Sequence, residues 1–313
     1  MNVRLSNETI KVEAKSLGFF ACGVAQANRV DDVTACKYRD WLSSSGHASM
    51  AYLSENIDKR LDPRLLFEGA KSIICVALNY TPQKKTPLKG EFAIASYALG
   101  QDYHDIIKSK LHRLAANLGI DNYKACCDTA PILERYWAVR AGLGWIGKNH
   151  QLIIPHAGSM FFLAELIVDF ETDYDKPIVC RCGNCHACID NCPTGALKSP
   201  DDNPDIPFDS SLCLSFQTIE NRGDIPQSIA EKMGNCIYGC DRCQTSCPYN
   251  NFSIPTDEAL LLPKEDLVNM TRRDWTTLTV EKYRALFKGS AVKRAKFEGL
   301  MRNIKEVEKR YKK

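Results

Sequence analysis

The sequence predicts an α+β chain in three successive parts, and three observations predict it. Strand-like and helix-like patterns are mixed through residues 1–178. Ten of the fifteen cysteines crowd between Cys180 and Cys247, marking a second unit over 179–251. From Asp257 the pattern is helical again, so residues 252–313 form a short helical segment. That segment ends in a basic tail: Lys293 to Lys313 holds nine Lys/Arg against three Glu, a net +6, while the whole chain carries +3. With 44% hydrophobic and 25% charged residues the composition is that of a globular protein and excludes disorder, collagen and simple coiled coil.

Taken in order, Asn7 to Leu17 has helical spacing, with Ser6 or Asn7 as its cap. KSIICVALNY (71–80) is an apolar, β-branched run of buried-strand character, followed by a Pro/Lys/Gly loop (81–90). Phe92 to Ala98 reads as a second strand, and Asp102 to Leu118 as a helix with Ile106, Ile107, Leu111, Leu114, Ala115 and Leu118 on one face. Leu133 to Leu143 reads as another helix, closed by the glycines of AGLGWIGKN. Gln151 to Pro155 and Met160 to Val168 add strands about the turn PHAG, and SPDDNPDIP (199–207) is a loop by composition. The N-terminus lacks the order of a secretory signal, no stretch reaches the roughly 18 apolar residues of a membrane span, and an odd cysteine count forbids full pairing. A reducing, cytoplasmic location follows as the expectation, in which clustered thiols serve metals.

The cysteine spacing is the most specific signal. Cys182-x2-Cys185-x2-Cys188-x3-Cys192-Pro193 has the spacing of bacterial iron–sulfur ligands, in which three thiolates wrap one cluster and the fourth serves its neighbour. Cys240-x2-Cys243-x3-Cys247-Pro248 is a second run without its first cysteine. Crossed ligation assigns Cys182, Cys185, Cys188 and Cys247 to one [4Fe–4S] cluster. Cys192, Cys240 and Cys243 go to the other, completed by Cys213 or Cys236. The four-residue step from 236 to 240 breaks the wrapping geometry and favours Cys213. Zinc also binds CxxC pairs, but it does not call for the x3-Cys-Pro ending twice. Cys22, Cys36, Cys75, Cys126, Cys127, Cys180 and Cys236 read as small buried side chains rather than ligands.

The N-terminal part must supply whatever chemistry the clusters serve. Gly142, Gly144 and Gly147 have G-x-G-x-x-G spacing but follow a helix, so the dinucleotide context is missing. The corrinoid motif D-x-H-x-x-G begins at Asp102 and His104 but has Ile107 in place of its glycine. Asp128 has two readings. It is a strand-end carboxyl of raised pKa, able to give up a proton, or a cap for a helix beginning near Pro131.

IDKRLDP (57–63), GQDYHD (100–105), CDTAPILER with AGLGWIGKN, AGSMFFLAE (157–165), LCLSFQTIE (212–220), YGCDRCQTSCP, both cysteine runs and FKGSAVKR (287–294) resemble the cobalamin-dependent epoxyqueuosine reductases over nearly the whole chain. The resemblance implies a nitroreductase-like corrinoid-binding domain followed by a two-cluster ferredoxin-like domain, in the short form without C-terminal helical repeats. It implies reduction of epoxyqueuosine to queuosine at the anticodon wobble position of tRNA. Two [4Fe–4S] clusters would pass electrons to base-off cobalamin from an external donor such as flavodoxin or ferredoxin, in a monomeric enzyme. Matched by position, Asp128 is the implied proton donor, with Tyr103 and Arg135 near the substrate. Arg60, Ala93, Asp128, Leu152, Leu163, Glu220 and Asp241 are implied cobalamin contacts, and Cys213 the remaining cluster ligand. Arg222, Lys293 and Arg294 are implied tRNA contacts. An electron-transfer ferredoxin and a cobalamin-dependent reductive dehalogenase are the alternatives, the first needing no corrinoid and the second no basic RNA-binding face.

Overall fold

The computed structural model describes residues 5–83, 88–199 and 207–311. Parts of the expected loops at 81–90 and 199–207, and Lys312 and Lys313 of the basic tail, lie outside the described residues. The chain opens with α1 (Asn7–Ser16), β1 (Ala21–Gln26), α2 (Asp32–Ser43), α3 (Ile57–Leu61) and β2 (Ser72–Asn79). It continues through β3 (Ala93–Ile94), α4 (Tyr103–Asn117), β4 (Tyr123–Cys126), α5 (Glu134–Arg140), β5 (Trp145–Ile146), β6 (Leu152–Ile153) and β7 (Phe161–Val168).

An antiparallel sheet of order β1-β2-β7-β4 carries this half of the protein. All eight positions of β2 are buried, because both faces of the sheet are covered. Ile74, Val76 and Leu78 pack with Ile10 of α1 and Ile107, Leu111 and Leu114 of α4. Ile73, Cys75 and Ala77 pack with Trp137 and Ala138 of α5. A strand covered on both sides loses the polar alternation of a half-exposed one, hence the continuous apolar run in the sequence. The caps agree with the chemistry of the ends. Ser6 accepts from Thr9 N at the start of α1, and Asp102 accepts from His104 N at the start of α4. Gly142 at φ 74° turns the chain out of α5.

Several elements differ from the sequence expectation, among them α3 and β5, which no pattern announced. β1 and α2 are regular where no element was expected. Val24 and Ala25 of β1 are buried beside β2, while α2 buries only Ala35 and Leu42, too few for a visible periodicity. The expected strand at 92–98 shrinks to Ala93–Ile94, which pairs in parallel with β8 (Cys236–Tyr238) before the chain enters a 3-10 turn at Ser96–Ala98.

Beyond the sheet come α6 (Ala187–Asp190), α7 (Leu214–Ile219), α8 (Gln227–Ala230) and β8, then α9 (Arg242–Thr245), α10 (Glu265–Asn269), α11 (Arg272–Thr276), α12 (Val280–Leu286) and α13 (Lys296–Tyr311). One core gathers Phe92 and Ile94, Leu214, Ile219 and Ile237, and Trp275, Phe287, Leu300, Ile304 and Val307. It therefore draws on all three stretches of sequence. Leu300, Ile304 and Val307 are no more than 1% exposed, each burial worth about 1.5–3 kcal/mol. The basic tail is thus a packed helix. Arg302 donates to the carbonyls of Gln217, Asn221 and Gly223, and Arg310 to those of Glu231 and Gly234. The Asn303 amide, fully buried, donates to Thr218 O and Ile237 O, both at 2.8 Å.

Candidate active site and cluster centres

Cys188 and Cys243 lie in the short helices α6 and α9, and the other six expected ligands lie in irregular backbone. Cys182, Cys185, Cys188 and Cys247 line one cavity of about 350 Å³ together with Lys148, Arg181 and Tyr249. Trp145 and Ile153 of the β5–β6 hairpin pack on Cys182 and Cys247. Cys213 lies within electrostatic reach of Cys240 and Cys192, and Cys243 of all three. Cys236 instead meets Cys240 through its side chain. The four thiols expected at the first cluster thus share one cavity, while Cys213 and Cys243 each feel Cys192 and Cys240, and Cys236 also adjoins Cys240; among the described residues these thiols form no ready-made metal-binding group. Four thiols with no carboxylate among the lining residues, and two cations beside them, suit a soft, net-negative iron–sulfur cluster. Among the other cysteines, Cys36 and Cys180 are exposed, contrary to the expectation that all are buried.

Asp128 stands just past the end of β4 at φ 56°. It does not cap a helix: α5 starts at Glu134, and Leu133 before it makes no side-chain cap. Asp128 Oδ2 instead lies 3.1 Å from His104 Nε2, while His104 Nδ1 lies 2.6 Å from Asp102 Oδ1. Burial pulls the imidazole down, but the hydrogen bonds and charges of Asp102 and Asp128 outweigh it and lift it to about 9. The protein packed around Asp128 pushes it up by desolvation although its side chain is 58% exposed, yet the His104 bond and charge, the Tyr103 hydroxyl and the Arg294 charge hold it below its ordinary value. The raised pKa expected for Asp128 is therefore overturned, because a cation faces it. At neutral pH both ring nitrogens of His104 are donors, and the proton of the pair resides on the imidazolium.

Tyr103 lies flat between His104 and Phe162, with ring centroids 4.1 Å away on each side, and burial followed by the Asp128 charge pushes its phenol far up. Arg135 donates through Nη1 to the carbonyl of His150. Glu134, the first residue of α5, accepts from the Asp128 backbone N–H; burial and the Asp128 charge lift its carboxyl to about 7. Glu165, in the middle of β7, is fully buried, and burial with the Glu134 charge pushes it well above the carboxylate range.

The implied cofactor residues fall into three places. Arg60, Glu220 and Asp128 converge on Tyr52. Arg60 Nη2 donates to Tyr52 O at 2.7 Å, and the phenol feels Glu220, Arg294, Asp128 and Arg60. Ala93 and Asp241 share a second cavity, of about 420 Å³, with Cys240, and Asp241 Oδ2 accepts from Ser96 N at 2.7 Å. Leu152 and Leu163 lie in the apolar layer beneath α5. Charged groups of both signs on a partly open wall suit the amide rim of a corrin, whose amides both donate and accept. His104 is committed to two carboxylates and is no free cobalt ligand.

Arg294 lies in the turn Ala291–Ala295 before α13, paired to Glu220 through Nε at 2.8 Å and Nη2 at 2.9 Å, with its guanidinium 5.6 Å from the Tyr52 ring centre. Arg222 donates to the carbonyls of Ile219, Ala295 and Arg294, so its guanidinium is committed to holding that turn on α7. Lys293 is exposed beside them. The spacing arguments missed His104 and Glu134 as functional groups. The only local signal was Asp102-x-His104 at a helix start.

A sheet domain presenting an acid–imidazolium pair, in one chain with a cysteine segment of iron–sulfur spacing, defines an iron–sulfur oxidoreductase. The family model described as epoxyqueuosine reductase QueG matches residues 60–129, and a 4Fe-4S double cluster binding domain matches 181–250. Epoxyqueuosine reductases of Cellulophaga algicola and Cyclobacterium marinum are each 43% identical, over 95% of this chain and 96% and 95% of their own. The crystal structure of an epoxyqueuosine reductase with an epoxyqueuosine-modified tRNA-Tyr stem loop superposes with a TM-score of 0.86 at 29% identity, covering 96% of this chain and 80% of that one. The Streptococcus thermophilus enzyme gives 0.85 at 32%, covering 98% and 81%. A Bacillus subtilis enzyme gives 0.82 at 28%, covering 96% and 80%, in a structure whose catalytic aspartate loop is swung out of the active site. The chain belongs to the epoxyqueuosine reductase family, with its nitroreductase-like N-terminal domain and cluster-binding domain.

Proposed function

We propose that this chain reduces epoxyqueuosine in tRNA to queuosine. Family membership supports the reaction class, and the His104–Asp128 pair on an accessible wall is the observation that carries the chemistry. Opening the epoxide to an alkene takes two electrons and two protons and releases the oxygen as water. Base-off cobalamin and two [4Fe–4S] clusters, when bound, supply the electrons singly from an external carrier such as flavodoxin or ferredoxin.

The residues of the chain supply position and protons. Asp128 accepts a proton from the His104 imidazolium and delivers it to the oxygen as its C–O bond breaks, and Asp102 holds the ring in place. Tyr103 and Arg135 line the substrate side of the same loop. Arg60, Ala93, Leu152, Leu163, Glu220 and Asp241 hold the corrin. Cys182, Cys185, Cys188 and Cys247 hold one cluster, and Cys192, Cys213, Cys240 and Cys243 the other. Lys293 and Arg294 grip the RNA at the mouth of the site, with Arg222 supporting them, and the target base is splayed out of the loop. So many unpaired thiols suit a reducing cytoplasm, where tRNA is found, and we take the enzyme to work as a monomer.

The test is anaerobic reconstitution with iron, sulfide and cobalamin, followed by assay on tRNA carrying epoxyqueuosine with a chemical reductant. Conversion to queuosine supports the reading. Clusters without corrinoid uptake or conversion would instead leave an electron-transfer protein.

A further inference from the structure

Asp128 sits in left-handed backbone at φ 56°, a region uncommon for residues with a side chain although Asp enters it more readily than most. Its loop does little to hold that conformation. The backbone bonds within 127–133 span only two residues, Thr129 N to Cys127 O and Ile132 N to Ala130 O. Asp128 and Thr129 are both exposed. The bond that crosses the loop runs from Asp128 N to Glu134 Oε1 on the first turn of α5. That carboxyl makes no other hydrogen bond among those described. Beneath α5 lies Glu165, between Cys75 and Cys126 in the sheet, fully buried and with neither oxygen partnered among the described residues. The floor under Glu134 therefore offers a second acid, and the cations whose charge reaches its carboxyl, Arg135 and His104, make no hydrogen bond to it among those described. Neither carboxyl is used by the proton transfer itself.

We propose that Glu134 is a positioning residue, a latch whose carboxyl oxygen holds the Asp128 backbone so that the Asp128 side chain meets His104. The proposal rests on Asp128 as proton donor, and it concerns the loop rather than the substrate. One oxygen at the right reach holds a strained backbone that the loop's own bonds would release. The aspartate then stays aimed at both its proton source and the reacting oxygen.

The variants separate reach from charge. Glu134→Gln keeps an oxygen at the same reach without charge, Glu134→Asp keeps the charge but withdraws it by one carbon, and Glu134→Ala removes both. All three are read in the reconstituted enzyme by hydrogen exchange of the 127–133 backbone and by kcat and KM on modified tRNA. Glu134→Ala and Glu134→Asp should speed exchange in the loop and lower kcat at least about tenfold, as misaimed catalytic groups do, with KM within about twofold. Glu134→Gln should keep slow exchange and a kcat within about threefold of the parent. Unchanged loop exchange in both Glu134→Asp and Glu134→Ala overturns the latch, as does a Gln variant as impaired as the Asp variant. An inactive parent whose loop exchange still responds to Glu134 would sink the proposed reaction and leave the latch standing.

Discussion

Arg294 lays two guanidinium nitrogens on the Glu220 carboxylate, at 2.8 and 2.9 Å, across 74 residues of sequence. The pair joins a residue expected at the cofactor to one expected at the RNA, and both stand over Tyr52 near Asp128. Charge-assisted forks of this kind orient as well as attract. Arg294→Ala should therefore impair both turnover and RNA binding, whereas Lys293→Ala should weaken binding alone. If both contact phosphate, each substitution lowers the slope of log affinity against log salt by about one. Filter binding across a salt series measures this, and unchanged slopes would remove both from the RNA interface.

Asp128→Asn keeps the size of the side chain and removes its ability to pass a proton. Turnover should fall about 100-fold or more while the absorbance of bound cobalamin and clusters is retained. An active Asn variant would take Asp128 out of the donor role.

The His104 pair predicts a pH dependence with a definite sign. The imidazole is raised to about 9 from an ordinary 6.5, so its contribution to stability is complete below 6.5 and is lost as pH rises through 9. The supply of imidazolium to Asp128 disappears over the same rise. The kcat of the parent should fall above pH 9, and His104→Gln should be slow throughout. Its stability deficit should shrink toward high pH in denaturant titrations. A deficit that grows with pH would contradict a charged His104.

Cys213 and Cys236 offer a direct test of the second cluster. Cys213→Ala should reconstitute with about half the iron of the parent, and Cys236→Ala with the full content. Iron analysis and absorbance near the cluster bands decide between them. Equal losses would place both at the cluster.

In α13, Leu300→Ala should cost about 2–5 kcal/mol, because a fully buried leucine leaves a cavity. Lys305, exposed on the same helix, should tolerate Ala within about 0.5 kcal/mol. Chemical denaturation compares them, and equal effects would mean the helix is not part of the core.

Cluster chemistry was legible in the amino-acid sequence because its geometry is local. Three thiols at intervals of three residues can wrap one inorganic cluster wherever the segment lies, so Cys182, Cys185 and Cys188 declare themselves by spacing. The buried strand at 72–79 is equally plain, since covering both faces leaves its inner positions, Ile73 to Leu78, without a polar alternation. β1 and α2 were not legible, because one is short and the other buries only Ala35 and Leu42. The nine basic residues at the C-terminal end read in sequence only as a concentration of positive charge. Tertiary packing turned Arg302 and Arg310 toward main-chain carbonyls.

The order of motifs along the chain thus determined the family and its cluster-binding segment, and singled out Asp128. Its protonation was decided only by the fold. His104 lies 24 residues from Asp128 in sequence but 3.1 Å away in space, and that cation reverses the shift that burial alone would impose. Electrostatic energy depends on distance through space, which residue spacing does not encode across a helix and a strand. The same reason hides Glu165 beneath Glu134 and Arg294 against Glu220 until the chain is folded.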